Sequence, residues 1–206
     1  MKIGIMGGTF DPIHNGHLML GEYAYHNFEL DEIWFLPNGN PPHKDNPDIR
    51  KDTEDRVKMT ELAIEDVPYF RLSTYETERI EPSYSYRTME HFRVVYPEHE
   101  FYFIIGADSL FSIEKWKCVD RLFKTTVILA AYRGDADTPE EMNGQIRYLN
   151  QKYHSDIRLL RTPILPASSH EIRKQIEEGH IQGLPIPPKV AAYIQEKHLY
   201  QGEAEK

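Results

Sequence analysis

A single cysteine, Cys118, stands among 206 residues, so no disulfide can close within the chain and the reducing cytoplasm is the expected setting. Long apolar runs are missing as well. None approaches the roughly 20 residues that a helix needs to cross a bilayer, which argues against a membrane protein. The first residues carry one lysine and enter an apolar run at once, so no secretory signal is expected. Positive charge is in deficit: 24 Lys and Arg stand against 33 Asp and Glu, for a formal net charge of −9. That balance excludes the general positive field on which nucleic-acid and anionic-membrane binders rely. It still allows a local basic pocket for a small phosphorylated ligand. Repeats, low-complexity tracts and linkers are also absent, and the length fits one domain over 1–206, with 201–206 expected to fray.

Chemistry is constrained by absences too. There is no Gly-Lys-Ser/Thr ending of a Walker loop, no nucleophile-base pair and no carboxylate cluster for a two-metal site. What the chain does have is concentrated at its start. Ile3 to Met6 is an apolar run of the kind that makes a buried strand. Gly7-Gly8 then offers backbone that can turn and approach a ligand without a Cβ in the way. A helix is expected from about Gly16, with Leu18, Met19, Leu20, Tyr23 and Ala24 inward. Strand, glycine turn and helix present unpaired N–H groups to an anion. His14 and His17, three apart, can add two side-chain donors to phosphate oxygens from one side. Each feature alone has a plainer explanation, as an ordinary connection or a satisfied surface histidine. A metal held by the two histidines is a further alternative, but Asp11 does not complete a recognised zinc spacing.

Farther along, alternating short apolar runs and amphipathic segments predict a doubly wound, Rossmann-like α/β fold. Its sheet should be mostly parallel, with five or six strands, followed by C-terminal helices. The expected strands are Glu32–Pro37, Phe70–Leu72, Phe101–Ile105, Thr126–Tyr132 and Ile157–Leu160, besides the first. Helices are expected over 53–66, from Ser83 or Ser85, after Asp108, over 139–153, from Ser168-Ser169 and from Pro188. The charged stretch from Glu76 to Ser83 reads as a surface loop. Asn38 to Pro47 is too rich in Pro, Gly and Asn for regular structure. It follows the C-terminal end of a strand, the edge where open α/β sheets bind ligands.

Gly7-Gly8-Thr9-Phe10-Asp11-Pro12, followed by His14-x-Gly-His17, resembles the signature of the nucleotidyltransferase superfamily with the His-x-Gly-His motif. That superfamily transfers a nucleotidyl group from a nucleoside triphosphate to a phosphate. Pro37-Asn38 and Pro41-Pro42-His43-Lys44 resemble the second signature of one branch, the bacterial nicotinate-nucleotide adenylyltransferases. Ser168-Ser169-His-Glu-Ile172-Arg173 is similar to the superfamily's Ser-Ser-x-x-Ile-Arg motif. The resemblance implies ATP and nicotinate mononucleotide as partners, with Mg²⁺ carried by the triphosphate rather than by protein side chains. It allows a homo-oligomer and implies neither nucleic acid nor membrane.

On that resemblance, ATP would be bound by Gly7, Gly8, Thr9, Phe10, His14, His17, Gly106, Asp108, Ser168, Ser169 and Arg173. The acceptor would meet Asn38, Lys44, Ser85, Trp116 and Arg133. His14, His17, Lys44 and Arg173 would form the catalytic set: the histidines on the ATP phosphates, Lys44 on the acceptor phosphate and Arg173 on the leaving group. Each has a plainer role open to it. Asp108, Ser85, Ser168 and Ser169 can cap helices, Trp116 can be core, and Arg133 can pair with Asp135 or Asp137. This chain also carries Arg87 where that family often has Asp. A pantetheine-phosphate adenylyltransferase is the nearest alternative. Its members are shorter, usually have Thr in place of His14 and lack the Pro-Pro-His-Lys segment. A non-catalytic nucleotide sensor on the same fold is the alternative of another class.

Overall fold

The computed structural model describes residues 1–40, 53–132, 138–163 and 166–201. Six strands form one sheet: β1 (Lys2–Gly8), β2 (Glu32–Pro37), β3 (Phe70–Leu72), β4 (Glu100–Gly106), β5 (Val127–Tyr132) and β6 (Ile157–Arg161). Their spatial order is β3-β2-β1-β4-β5-β6, and every neighbouring pair is parallel. The helices are α1 (Asn15–Asn27), α2 (Thr53–Ile64), α3 (Ser85–Val95), α4 (Ala107–Ser112), α5 (Val119–Phe123), α6 (Pro139–Tyr153), α7 (Ser169–Glu177) and α8 (Pro188–Glu196).

Both faces of the sheet are covered, which is why its strands read as continuous apolar runs rather than alternating ones. Alternation along each strand still divides the core. Ile3, Ile5, Phe101, Phe103, Ile105 and Ile128 pack with Met89 and Phe92 of α3, Leu122 of α5 and Met142, Ile146 and Leu149 of α6. Met6, Phe35, Tyr102, Ile104, Leu129 and Leu160 pack the other way, against Leu20 and Ala24 of α1 and Met59 of α2. Ile172 and Ile176 of α7 and Val190 and Ile194 of α8 complete that layer.

Sequence order reverses between β1 and β4, where the chain has wound outward both ways. Ligands in open α/β sheets collect in the crevice beyond the strand ends at such a point. The residues there are Gly7 and Gly8 on one side and Gly106 on the other.

The expectation of a mostly parallel doubly wound sheet holds, with six strands. Two local expectations change. The first strand runs through Gly7 and Gly8 instead of breaking there, and the left-handed residue of the turn is Phe10, at φ 51°. The stretch from Glu76 to Ser83 is not simply a surface loop, because Glu76 is 7% exposed. No helix among the described residues is long and apolar enough to cross a membrane.

Candidate active site

The corner after β1 is built around Phe10. Its ring is buried and lies across Gly8, where a Cβ would meet Phe10 Cε1 at 2.7 Å. Gly8 is therefore required by the packing of its own turn. The ring then meets His17 edge-on, with centroids 5.0 Å apart. His17 in turn stacks on His14, with centroids 3.7 Å apart and planes 25° from parallel. Phe10 is thus a wall that orients imidazole. The His14 amide donates to His17 Nδ1 at 3.3 Å. An acceptor at Nδ1 leaves the ring proton on Nε2, so His17 is set to donate through that nitrogen.

A cleft of about 310 Å³ opens at the switch point. Gly7, Gly8, Thr9 and His17 line one side, and Gly106 and Ser109 line the β4 side. Asn38, Glu76, Ser85, Trp116 and Lys117 extend it away from the corner. Of the residues singled out in the sequence, Gly7, Gly8, Thr9, His17, Asn38, Ser85, Gly106 and Trp116 share this one cleft. Trp116 is partly exposed and stands edge-on to Phe103, at 6.3 Å. Its indole is thus braced from below. In the same cleft lining, Lys117 Nζ lies 4.8 Å from the Tyr84 ring.

Other residues singled out in the sequence do not line that cleft. His14 is 3% exposed and borders a small depression with Gly16, Thr162 and Ala167. Ser169 donates from Oγ to the Pro12 carbonyl at 3.0 Å. Arg173, one turn along α7, donates from Nη1 to the Asp11 carbonyl at 2.6 Å. Ser168 is the cap position of α7, and Asp108 is exposed in the first turn of α4. Arg87 turns outward, donating from Nε to the Tyr86 hydroxyl at 3.1 Å. Lys44 and Arg133 lie outside the described residues. Among the described residues, no group of three or more His, Cys, Asp or Glu side chains could hold a metal ion.

Two contributors escaped the sequence reading. Arg56 is fully buried and donates to the carbonyls of Thr9 and Asn38. Its signal was present: Arg56, Met59, Thr60 and Ile64 share one helical face, all four buried. Glu76 accepts from Thr88 Oγ1 at 2.6 Å, and its backbone carbonyl blocks any Cβ at Gly39. Burial pushes the Glu76 carboxyl above the ordinary carboxylate range, against hydrogen bonds from Thr88 and Ser83 that pull it down. No pattern in the sequence announces this, because a charged residue in a polar stretch reads as solvated.

The cytidylyltransferase-like family model matches residues 5–175. A Lachnoclostridium phytofermentans protein described as a "probable nicotinate-nucleotide adenylyltransferase" is 41% identical over 97% of this chain and 98% of its own length. A Clostridium tetani protein of the same description is 40% identical, over 97% and 99%. This chain belongs to the nicotinate-nucleotide adenylyltransferase family. Among solved structures, Plasmodium falciparum nicotinic acid mononucleotide adenylyltransferase complexed with NaAD matches with a TM-score of 0.79. Its identity is 23%, over 97% of each chain, a likeness of fold. The cleft at the β1–β4 switch point lies where a doubly wound sheet presents its strand ends and collects ligands.

Proposed function

We propose that this cleft joins ATP to nicotinate mononucleotide, giving nicotinate adenine dinucleotide and pyrophosphate, a step in NAD biosynthesis. An acceptor phosphate oxygen attacks the α-phosphorus of ATP. The bond from that phosphorus to the bridging oxygen breaks, and pyrophosphate leaves with the electron pair. The observation that carries this reading is the coexistence, in one cleft, of a glycine-imidazole corner and a braced aromatic ledge. Gly7, Gly8, Thr9 and His17 suit a triphosphate, and Trp116 suits a flat ring, whose stacking adds roughly 1 kcal/mol beyond buried area.

In such a displacement the protein aligns the reactants and offsets charge as it moves toward the leaving group. His17 donates through Nε2 to a phosphate oxygen, with His14 stacked behind it. Arg173, Ser168 and Ser169 meet the departing pyrophosphate, and Gly106 and Asp108 meet the adenosine ribose. Asn38 and Ser85 flank the acceptor beside Trp116. Mg²⁺ arrives with ATP as part of the substrate, and the reaction takes place in the cytoplasm.

Pyrophosphate release is the test, with nicotinate mononucleotide, its amide and phosphopantetheine supplied in turn beside MgATP. Release with the first acceptor at the highest kcat/KM is expected. Preference for phosphopantetheine would transfer the protein to the pantetheine-phosphate branch. Nucleotide binding with no release from any acceptor would make it a sensor.

A further inference from the structure

Behind the cleft, and touching none of its open surface, Arg56 sits in α2 with its side chain fully enclosed. Nη1 donates to the Thr9 carbonyl at 2.5 Å, and Nη2 donates to the Asn38 carbonyl at 2.9 Å and to Thr53 Oγ1 at 3.1 Å. Thr9 is the first residue beyond β1, and Asn38 the first beyond β2. Both line the cleft. One guanidinium therefore joins the exits of two neighbouring strands from below. A direct bond from the Asn38 amide to the Gly8 carbonyl, at 2.9 Å, closes the same junction from the backbone side.

We propose that Arg56 is a positioning residue for nucleotidyl transfer, its planar fork fixing the Thr9 backbone at the glycine-imidazole corner and the Asn38 backbone on the acceptor side of the same cleft.

The chemistry of the contact favours this over a purely stabilising role. Taking a guanidinium out of water carries a penalty that partners inside the protein offset only in part. For stability alone, replacing buried charged groups by apolar side chains of similar volume is often neutral or favourable. Arginine differs in geometry: it presents donors in a rigid plane, which can hold two separate carbonyls at a set spacing, as lysine cannot. The object held is also specific. Asn38 lines the cleft, and its Oδ1 is buried and meets no donor among the described residues. Fixing its backbone carbonyl fixes where this part of the cleft wall stands. Small displacements of such groups are costly, since a misplacement of about 1 Å at a reacting centre is worth about 100-fold in rate.

The inference rests on the transfer reaction proposed above, so wild-type enzyme with MgATP and nicotinate mononucleotide is the control. Without pyrophosphate release there, the assigned reaction fails and Arg56 is not at issue. With an active wild type, Arg56→Lys and Arg56→Gln are compared, and rates are expressed per folded molecule from circular dichroism and thermal melts. The expected result is a folded Arg56→Lys protein with a KM for ATP or acceptor raised about tenfold or more and a kcat/KM lowered about 10- to 100-fold. A residue that only supports the core would reduce the folded fraction or the melting temperature and leave KM unchanged. Kinetic constants within about twofold of wild type per folded molecule would overturn the proposal. So would failure of both variants to fold, which would assign Arg56 to the core.

Discussion

Arg173 Nη1 donates to the backbone carbonyl of Asp11 at 2.6 Å, across 162 positions of the sequence. The same guanidinium lies 3.5 Å from the Asp11 carboxylate, whose other oxygen accepts from the Tyr200 hydroxyl at 2.6 Å. Two groups from the end of the chain thus hold the turn that follows β1. The contact fixes the Arg173 guanidinium at the corner, and in the transfer proposed above preorganisation of this kind serves transition-state stabilisation. Arg173→Ala should lower kcat by about 100-fold, comparable to the loss of one oxyanion donor. Arg173→Lys should fall between, since it keeps the charge and loses the fork. Steady-state pyrophosphate release gives both values. Full turnover in Arg173→Ala would confine the residue to tying the corner.

His17 receives the His14 amide at Nδ1, and in the transfer proposed above its Nε2–H donates to a phosphate oxygen. Removing the imidazole removes that donor and the stacking partner of His14 together. His17→Ala is expected to lose about 100-fold or more in the chemical step while its circular dichroism stays that of wild type. A single-turnover measurement isolates the step from binding and product release. Chemistry at the wild-type rate would take His17 out of the mechanism.

Legibility in the sequence followed the physics of each feature. The sheet was readable because strands buried on both faces, such as Phe101–Ile105, must be apolar at every position. The corner at Gly7-Gly8 was readable because the glycine pair is followed closely by His14-x-Gly-His17, where a glycine pair alone is an ordinary connection, although the turn itself falls at Phe10. What escaped notice were polar groups drawn inside by partners distant in sequence. Thr9 and Asn38 explain Arg56, and Thr88 explains Glu76. The burial of Arg56 has a local trace in its helical face, but neither pairing has one. The sharing of one cleft by Trp116 and His17 is tertiary information of the same kind.

Trp116 is braced by Phe103 and open on the cleft side, an arrangement suited to stacking. Trp116→Ala should weaken acceptor binding by roughly 1–2 kcal/mol, from lost stacking and lost apolar contact. ATP binding should change much less. Calorimetric titration with each substrate separately measures the two effects. Equal losses for ATP and for nicotinate mononucleotide would reduce Trp116 to a packing role.

Glu76 makes stability depend on pH in a direction that can be worked out. Its carboxyl is buried, and burial raises its pKa above the ordinary 4.5. When the folded pKa lies above the unfolded one, the folded state binds the proton more tightly. The associated stability is complete below the unfolded value and disappears as pH rises through the folded value. Within that window the wild type loses up to about 1.4 kcal/mol for each unit of pH. Glu76→Gln keeps an amide oxygen for the Thr88 hydroxyl and removes the ionisation. Its stability relative to wild type should therefore grow as pH rises from the ordinary carboxylate pKa through the raised folded one, levelling once the folded carboxyl has ionised. Urea midpoints of both proteins across that range provide the comparison. Parallel curves would mean that the Glu76 carboxyl titrates alike in the folded and unfolded chain, and that burial leaves its proton unaffected.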